Sequence, residues 1–236
     1  MGLHRVAERP IMWGMAATPT ATDLFDAIDG DDPQRLRAIL AEAPSLASSR
    51  DEEGVSAVLH ALYHGRAALA EMIAAVAREL DVFEAAALGH ADRVRELLAG
   101  DPGLARAQSP DGFTALHLPA FFGGEGTAEA SRALIEAGAD VSARSDNSFW
   151  VLPLHSAASG GHAEIVELLL EAGAEPDPRQ RHVWTPLHAA AQNGDLRSLD
   201  ALLAAGADPE LRNDAGQSAL DLARAGGDDE LIARLS

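Results

Sequence analysis

The side chains that could do chemistry in this 236-residue chain are nine histidines, a surplus of carboxylates and ten aromatics. There is no cysteine, which excludes disulfides, thiolate metal sites and thiol nucleophiles. All 18 basic residues are arginine, so a Schiff-base lysine and the lysine of a phosphate-cradling loop are absent too. Histidine is left as the side chain for acid-base or metal work near neutral pH. His117, His155 and His188 recur in one sequence frame, and His90 and His162 each follow a glycine, a regularity that points to structural roles. His60, His64 and His182 lie outside that frame. His64 and His182 are expected to face a groove without a partnered pair at metal-ligand spacing, so no metal and no cofactor is expected. Asp51-Glu52-Glu53 and Asp228-Asp229-Glu230 read as solvated charges at helix ends and turns, not as calcium ligands or paired catalytic carboxylates. No Gly-x-Ser-x-Gly elbow and no glycine-rich phosphate loop occurs, and the chain is not expected to be an enzyme.

The elements that must position these residues are helices. Alanine supplies 49 positions and aromatics only 4%, and alanine is the best helix former, so strand-based folds are disfavoured. A net charge of -19 repels phosphate backbones and anionic lipid headgroups, which argues against nucleic-acid and membrane partners and favours a basic protein partner. No apolar run approaches the roughly 18 residues of a membrane span. Arg5 and Arg9 before Ile11 to Ala17 only faintly imitate a secretory signal. Residues 1–20 are expected to form a flexible tail, residues 21–236 a single domain, and the protein a cytoplasmic monomer. The alanine-rich, lysine-free composition suggests a bacterial source with GC-rich DNA.

Self-similarity organises the domain. Thr185-Pro186-Leu187-His188 is followed by Ala190-Ala191, Gly194, Leu202-Leu203 and Gly206-Ala207-Asp208. Thirty-three residues earlier stand Pro153-Leu154-His155, Ala157-Ala158, Gly161-His162, Leu169-Leu170 and Gly173-Ala174-Glu175. A third copy reads Gly112, Thr114-Ala115-Leu116-His117, Gly123, Leu134-Ile135 and Gly138-Ala139-Asp140, and Gly216 with Ser218-Ala219-Leu220-Asp221 opens a truncated last one. Degenerate copies precede these around Asp31, Gly65 and Gly89, giving about seven units.

These motifs resemble the ankyrin repeat, and the resemblance implies an all-α solenoid of stacked helix-turn-helix units with short β-turn fingers. The mechanics also stand without it. Thr185 suits a helix N-cap, Pro186 the first helical position, and Gly194 and Gly206 the left-handed residue after a helix. The single apolar stripe from Leu196 to Leu203 cannot bury itself without stacked neighbours. Residues 208–216, with Asn213-Asp214, read as a projecting finger. The landmark positions Asp31, Gly65, Gly89, Gly123, Gly161, Gly194 and Gly227 are spaced 34, 24, 34, 38, 33 and 33 apart. The short step predicts a missing finger between units two and three. The long one reflects extra residues at Gly123–Thr127 and Ser145–Trp150, where insertions favour the binding side. Pro119, in place of alanine, predicts a bend in a helix over 115–122.

In the ankyrin family the finger tips and first helices form a concave face that grips other proteins. Carried onto this chain, that implies a partner-binding surface of Tyr63, His64, Phe113, Phe121, Phe122, Phe149, Trp150, Arg181, His182, Trp184, Gln192 and Asn193. Seven of the ten aromatics fall there, and large rigid rings carry most interface energy. Arg144, Arg179, Arg181 and His182 add a small basic patch beside Trp150 and Trp184. The alternative is a small-molecule or enzymatic pocket around residues 113–150, shaped by Pro119, the glycine-rich insert, Phe121, Phe122, Phe149 and Trp150, with His64 or His182 as acid or base. A scaffold without a specific ligand is the third possibility.

Overall fold

The computed structural model describes residues 18–148, 150–178 and 183–236. Among them fourteen α-helices pair into seven hairpins. These are α1 (Ala21–Asp29) with α2 (Pro33–Glu42), α3 (Ala57–Tyr63) with α4 (Ala67–Ala74), and α5 (Val82–Ala87) with α6 (Ala91–Gly100). Then follow α7 (His117–Phe122) with α8 (Thr127–Glu136), α9 (Pro153–Gly160) with α10 (Ala163–Glu171), α11 (Pro186–Asn193) with α12 (Leu196–Ala204), and α13 (Ala219–Gly226) with α14 (Asp229–Leu235). Successive first helices pack on one another, as do α2 with α4 and the second helices from α6 through α14, so the units stack in chain order. The fold is the all-α repeat solenoid implied by the sequence. Residues 1–17, which carry most of the expected tail, lie outside the described residues.

Each hairpin folds for local reasons. Thr20, Ser56, Asp81, Thr185 and Ser218 accept a backbone N–H at the start of a first helix, and Asp32, Asp195 and Asp228 do so for second helices. Gly161, Gly194 and Gly227 close their helices in the left-handed region, at φ 72, 72 and 71°. Alanines on the first helices, such as Ala157 and Ala190, are wholly buried and allow close stacking. Leucines and isoleucines of the second helices, among them Leu36, Ile73, Leu134, Ile165, Leu169 and Leu199, fill the interior. Each contributes about 1.5–3 kcal/mol of transfer free energy only because a neighbouring unit covers it.

The fingers follow the expected register. Asn213 accepts from the amides of Ala215 and Gln217, both at 3.0 Å, and shapes the finger before α13. Antiparallel bridges Arg50–Ser56 and Gln108–Thr114 close two others. Only a short link joins α4 to α5, so the finger between units two and three is missing as the spacing predicted.

Two expectations need correction. Pro119 sits in the first turn of its helix, not inside it. Its missing N–H would have bonded to Ala115, so α7 starts at His117, whereas α9 and α11 start two positions earlier in the frame, and Pro119 falls in the first turn where no donor is needed. The Gly123–Thr127 insert, expected on the binding side, packs against the rest of the stack. A Cβ on Gly126 would lie 2.2 Å from the Gly89 carbonyl oxygen, and one on Gly89 would lie 2.1 Å from that of Glu125.

Candidate binding site

Helices α3, α7 and α9 bring distant residues to one face. Tyr63 ends α3, and its ring centre lies 5.2 Å from that of Phe122 and 6.4 Å from that of Phe121. Phe121 and Phe122 meet edge-on at 5.1 Å. The Tyr63 hydroxyl donates to Asp111 Oδ2 at 2.5 Å; burial and this carboxylate both push its pKa upward, so the phenol stays protonated.

Beside this cluster lies a cavity of about 430 Å³. Tyr63, Phe113, Leu118, Phe121 and Val151 form its apolar walls, and His117, His155, Ser156 and Ser159 supply the polar groups. Of the residues expected to shape a pocket, Phe121 lines it while Phe122 stacks outside on Tyr63. Trp150 stands elsewhere, 62% exposed beside Arg144 and Gln108 in a shallow depression.

The two cavity histidines differ in one respect. His117 Nε2 donates to the Val151 carbonyl at 3.1 Å, and its Nδ1 accepts the Thr114 amide at 3.2 Å with the Thr114 hydroxyl at 2.8 Å. His188 repeats this with Gln217 and Thr185. His155 Nε2 donates to the Trp184 carbonyl at 3.2 Å, but Leu152 occupies the threonine position, and among the described residues Nδ1 has no hydrogen-bond partner, on a side chain only 1% exposed. Burial pushes the pKa of His117 and of His155 down to about 4, so both rings are neutral at pH 7. A carbonyl fixes the proton on Nε2, which leaves His155 Nδ1 as an acceptor; an unmet buried acceptor costs about 1–3 kcal/mol.

The remaining site residues divide. Phe113 is a half-buried wall, 5.7 Å from the His117 ring, and Trp184 leans half-buried on His188 at 5.3 Å. Gln192 is exposed. Asn193 is exposed too, but its amide donates to the carbonyls of Ala158 and Ser159 at 3.1 and 2.9 Å and pins α11 to α9. Phe149, Arg179, Arg181 and His182 lie outside the described residues.

His64 is not the isolated histidine expected from the sequence. It stacks on His60, one turn earlier, with ring centres 4.4 Å apart. His60 Nδ1 meets Asp51 Oδ2 at 3.0 Å and its Nε2 meets Asp29 Oδ1 at 2.9 Å. Burial lowers the His60 pKa, but the hydrogen bonds to Asp29 and Asp51 outweigh it and the net shift is upward. The four-residue spacing was the available signal for this pair. The cavity polar groups carried a fainter one, the leucine at a threonine position.

Residues 145–213 match the family described as ankyrin repeats (3 copies), and residues 111–146 match the ankyrin repeat. This is an ankyrin-repeat protein. Ankyrin repeats are in general protein-interaction modules and are typically non-enzymatic scaffolds. A probable E3 ubiquitin-protein ligase, XBOS31, of Oryza sativa subsp. japonica is 40% identical over 97 residues. The match covers 41% of this chain and 21% of that relative, so the chain corresponds to about a fifth of its length. Among the described residues, no helix is long and apolar enough to cross a membrane.

Proposed function

We propose that this ankyrin array binds a partner protein through its finger and first-helix face, and that one aromatic side chain of the partner sits in the cavity between Tyr63, Phe113, Phe121 and Val151. The observation that carries this is an apolar cavity of about 430 Å³ whose rim residue Phe121 is 53% exposed and whose lining includes the serines Ser156 and Ser159. Such a site favours a rigid ring that also brings a donor, which describes tyrosine and tryptophan. The -19 net charge favours arginine or lysine around that anchor. Trp150, Arg144 and Trp184 extend the surface along the next fingers, and Phe149, Arg181, His182 and Gln192 belong to the same proposal. The repeat array acts as a monomer without catalytic activity.

Selection of a displayed random-peptide library on the immobilised protein tests this. Enriched peptides should carry tyrosine or tryptophan flanked by basic residues, and Phe121→Ala should weaken them at least tenfold. Enrichment of acidic peptides without aromatics, or full retention by Phe121→Ala, would refute the proposal. The cavity volume also lies in the range of small-ligand sites, which favours as a second reading an apolar small molecule with one donor. Saturable binding of free indole by the protein, with no peptide enriched, would replace the first reading by this one.

A further inference from the structure

A second site lies at the joint between the first two units, away from the cavity. Asp29 ends α1, and His60 and His64 sit one turn apart at the end of α3. The Nε2 atoms of His60 and His64 lie 2.9 and 3.8 Å from Asp29 Oδ1, and the three prospective ligand atoms all lie within 4.8 Å of one another. Both Nδ1 atoms are already engaged. His60 Nδ1 faces the Asp51 carboxylate at 3.0 Å, and His64 Nδ1 faces the His60 backbone carbonyl at 2.9 Å. These are the outer partners that fix a metal-binding imidazole, since each holds the proton on Nδ1 and aims the Nε2 lone pair outward. We propose that Asp29, His60 and His64 bind a zinc ion, with the fourth position open to water.

The geometry suits that ion. Tetrahedral zinc with bonds of about 2.0–2.1 Å places its ligands about 3.4 Å apart, and the two separations from Asp29 straddle that value. Movement of a few tenths of an ångström brings both to it, and the two imidazoles, stacked 25° from parallel, turn to aim both Nε2 atoms at one ion. Two imidazoles and one carboxylate select zinc over calcium or magnesium, which demand oxygen ligands. His60 is largely covered, with a side-chain exposure of 16%, while His64 and Asp29 stand at 49% and 53%, which leaves room for a water and a path for the ion. Zinc there ties α1 to α3, so it joins unit one to unit two. The site shares no residue with the cavity lining, so it stands or fails independently of the binding proposal.

The test uses the full chain without a histidine tag, stripped with chelator and titrated with zinc chloride by calorimetry, and with cobalt chloride followed by its visible ligand-field bands. One equivalent should bind, cobalt should give the intense bands of a tetrahedral site, and zinc should raise the melting temperature. His64→Ala, an exposed change, should weaken zinc at least tenfold, and Asp51→Asn should weaken it 10–100-fold through the lost outer partner. His90→Ala, which alters a histidine paired with Glu71 elsewhere, should leave binding unchanged. Absence of zinc uptake by the native chain, or uptake unaltered by His64→Ala, would overturn the proposal.

Discussion

His155 donates its Nε2 proton to the carbonyl of Trp184, 29 positions ahead, while Leu152 denies its Nδ1 the threonine that serves His117 and His188. One substitution in the frame therefore leaves a neutral, buried ring with a spare acceptor. Leu152→Thr should create a coupling with His155 of about 1 kcal/mol that the native chain lacks. A double-mutant cycle of Leu152→Thr with His155→Ala, read by urea unfolding, measures it; a coupling near zero would mean the acceptor is met in some other way.

Acid should weaken the fold before the carboxylates titrate. His117 and His155 sit at about 4 in the folded state against 6.5 unfolded, because burial disfavours their charged form, and His188 is lowered for the same reason. The unfolded chain thus binds more protons below pH 6.5, and stability falls with pH until about 4. For His117 and His155 together this amounts to about 3 kcal/mol between pH 6.5 and 5. His60 acts in the opposite sense, because its folded pKa is raised, but it is one group against three. Urea midpoints at the two pH values should show the drop, and a flat profile would contradict the buried neutral rings.

The two kinds of positive-φ glycine should respond differently to alanine. Gly161 has φ 72° and open space where a Cβ would go, so Gly161→Ala should cost about 1–2 kcal/mol from backbone strain. Gly89 has the same φ but faces the Glu125 carbonyl and the Thr127 and Gly126 backbone, so Gly89→Ala should cost at least about 2 kcal/mol more. Thermal unfolding of the two variants compares them directly.

Phe121→Ala should separate recognition from stability. The ring is 53% exposed, so the fold should lose no more than about 1 kcal/mol. A peptide selected on the native protein should lose at least tenfold in affinity, as measured by calorimetry. Equal losses in stability and affinity would assign Phe121 to packing.

The frame of this fold was legible because each signal is local. Thr185 to His188 specify a cap and a ring tautomer, Gly194 a helix end, and the 24-residue step a missing finger. Pro119 was misjudged because its effect depends on where α7 starts, and that start shifts to accommodate it. The glycine-rich insert looked like a ligand loop because its tight partner, Gly89, lies more than thirty residues away. The cavity was only half legible: Tyr63, Phe113 and Phe121 stood out as aromatics, whereas His155 and Ser156 join them only when α9 stacks beside α7. Asp29 was invisible as a partner of His60, since only the stacking of α1 on α3 brings it there.

The oily interior of this stack narrows at one place, where fully buried clusters are bridged by the half-buried Leu62, Leu80 and Phe83. One cluster runs from Leu24 to Ile73 and another from Val82 to Leu235, with Val55, Leu59, Ala87 and Leu118 forming a smaller patch of their own. The place where the finger is missing is therefore also a seam, with less grease across it than on either side. Heating should fray the chain there first, releasing the opening two hairpins while the five behind them still hold their amide protons against exchange.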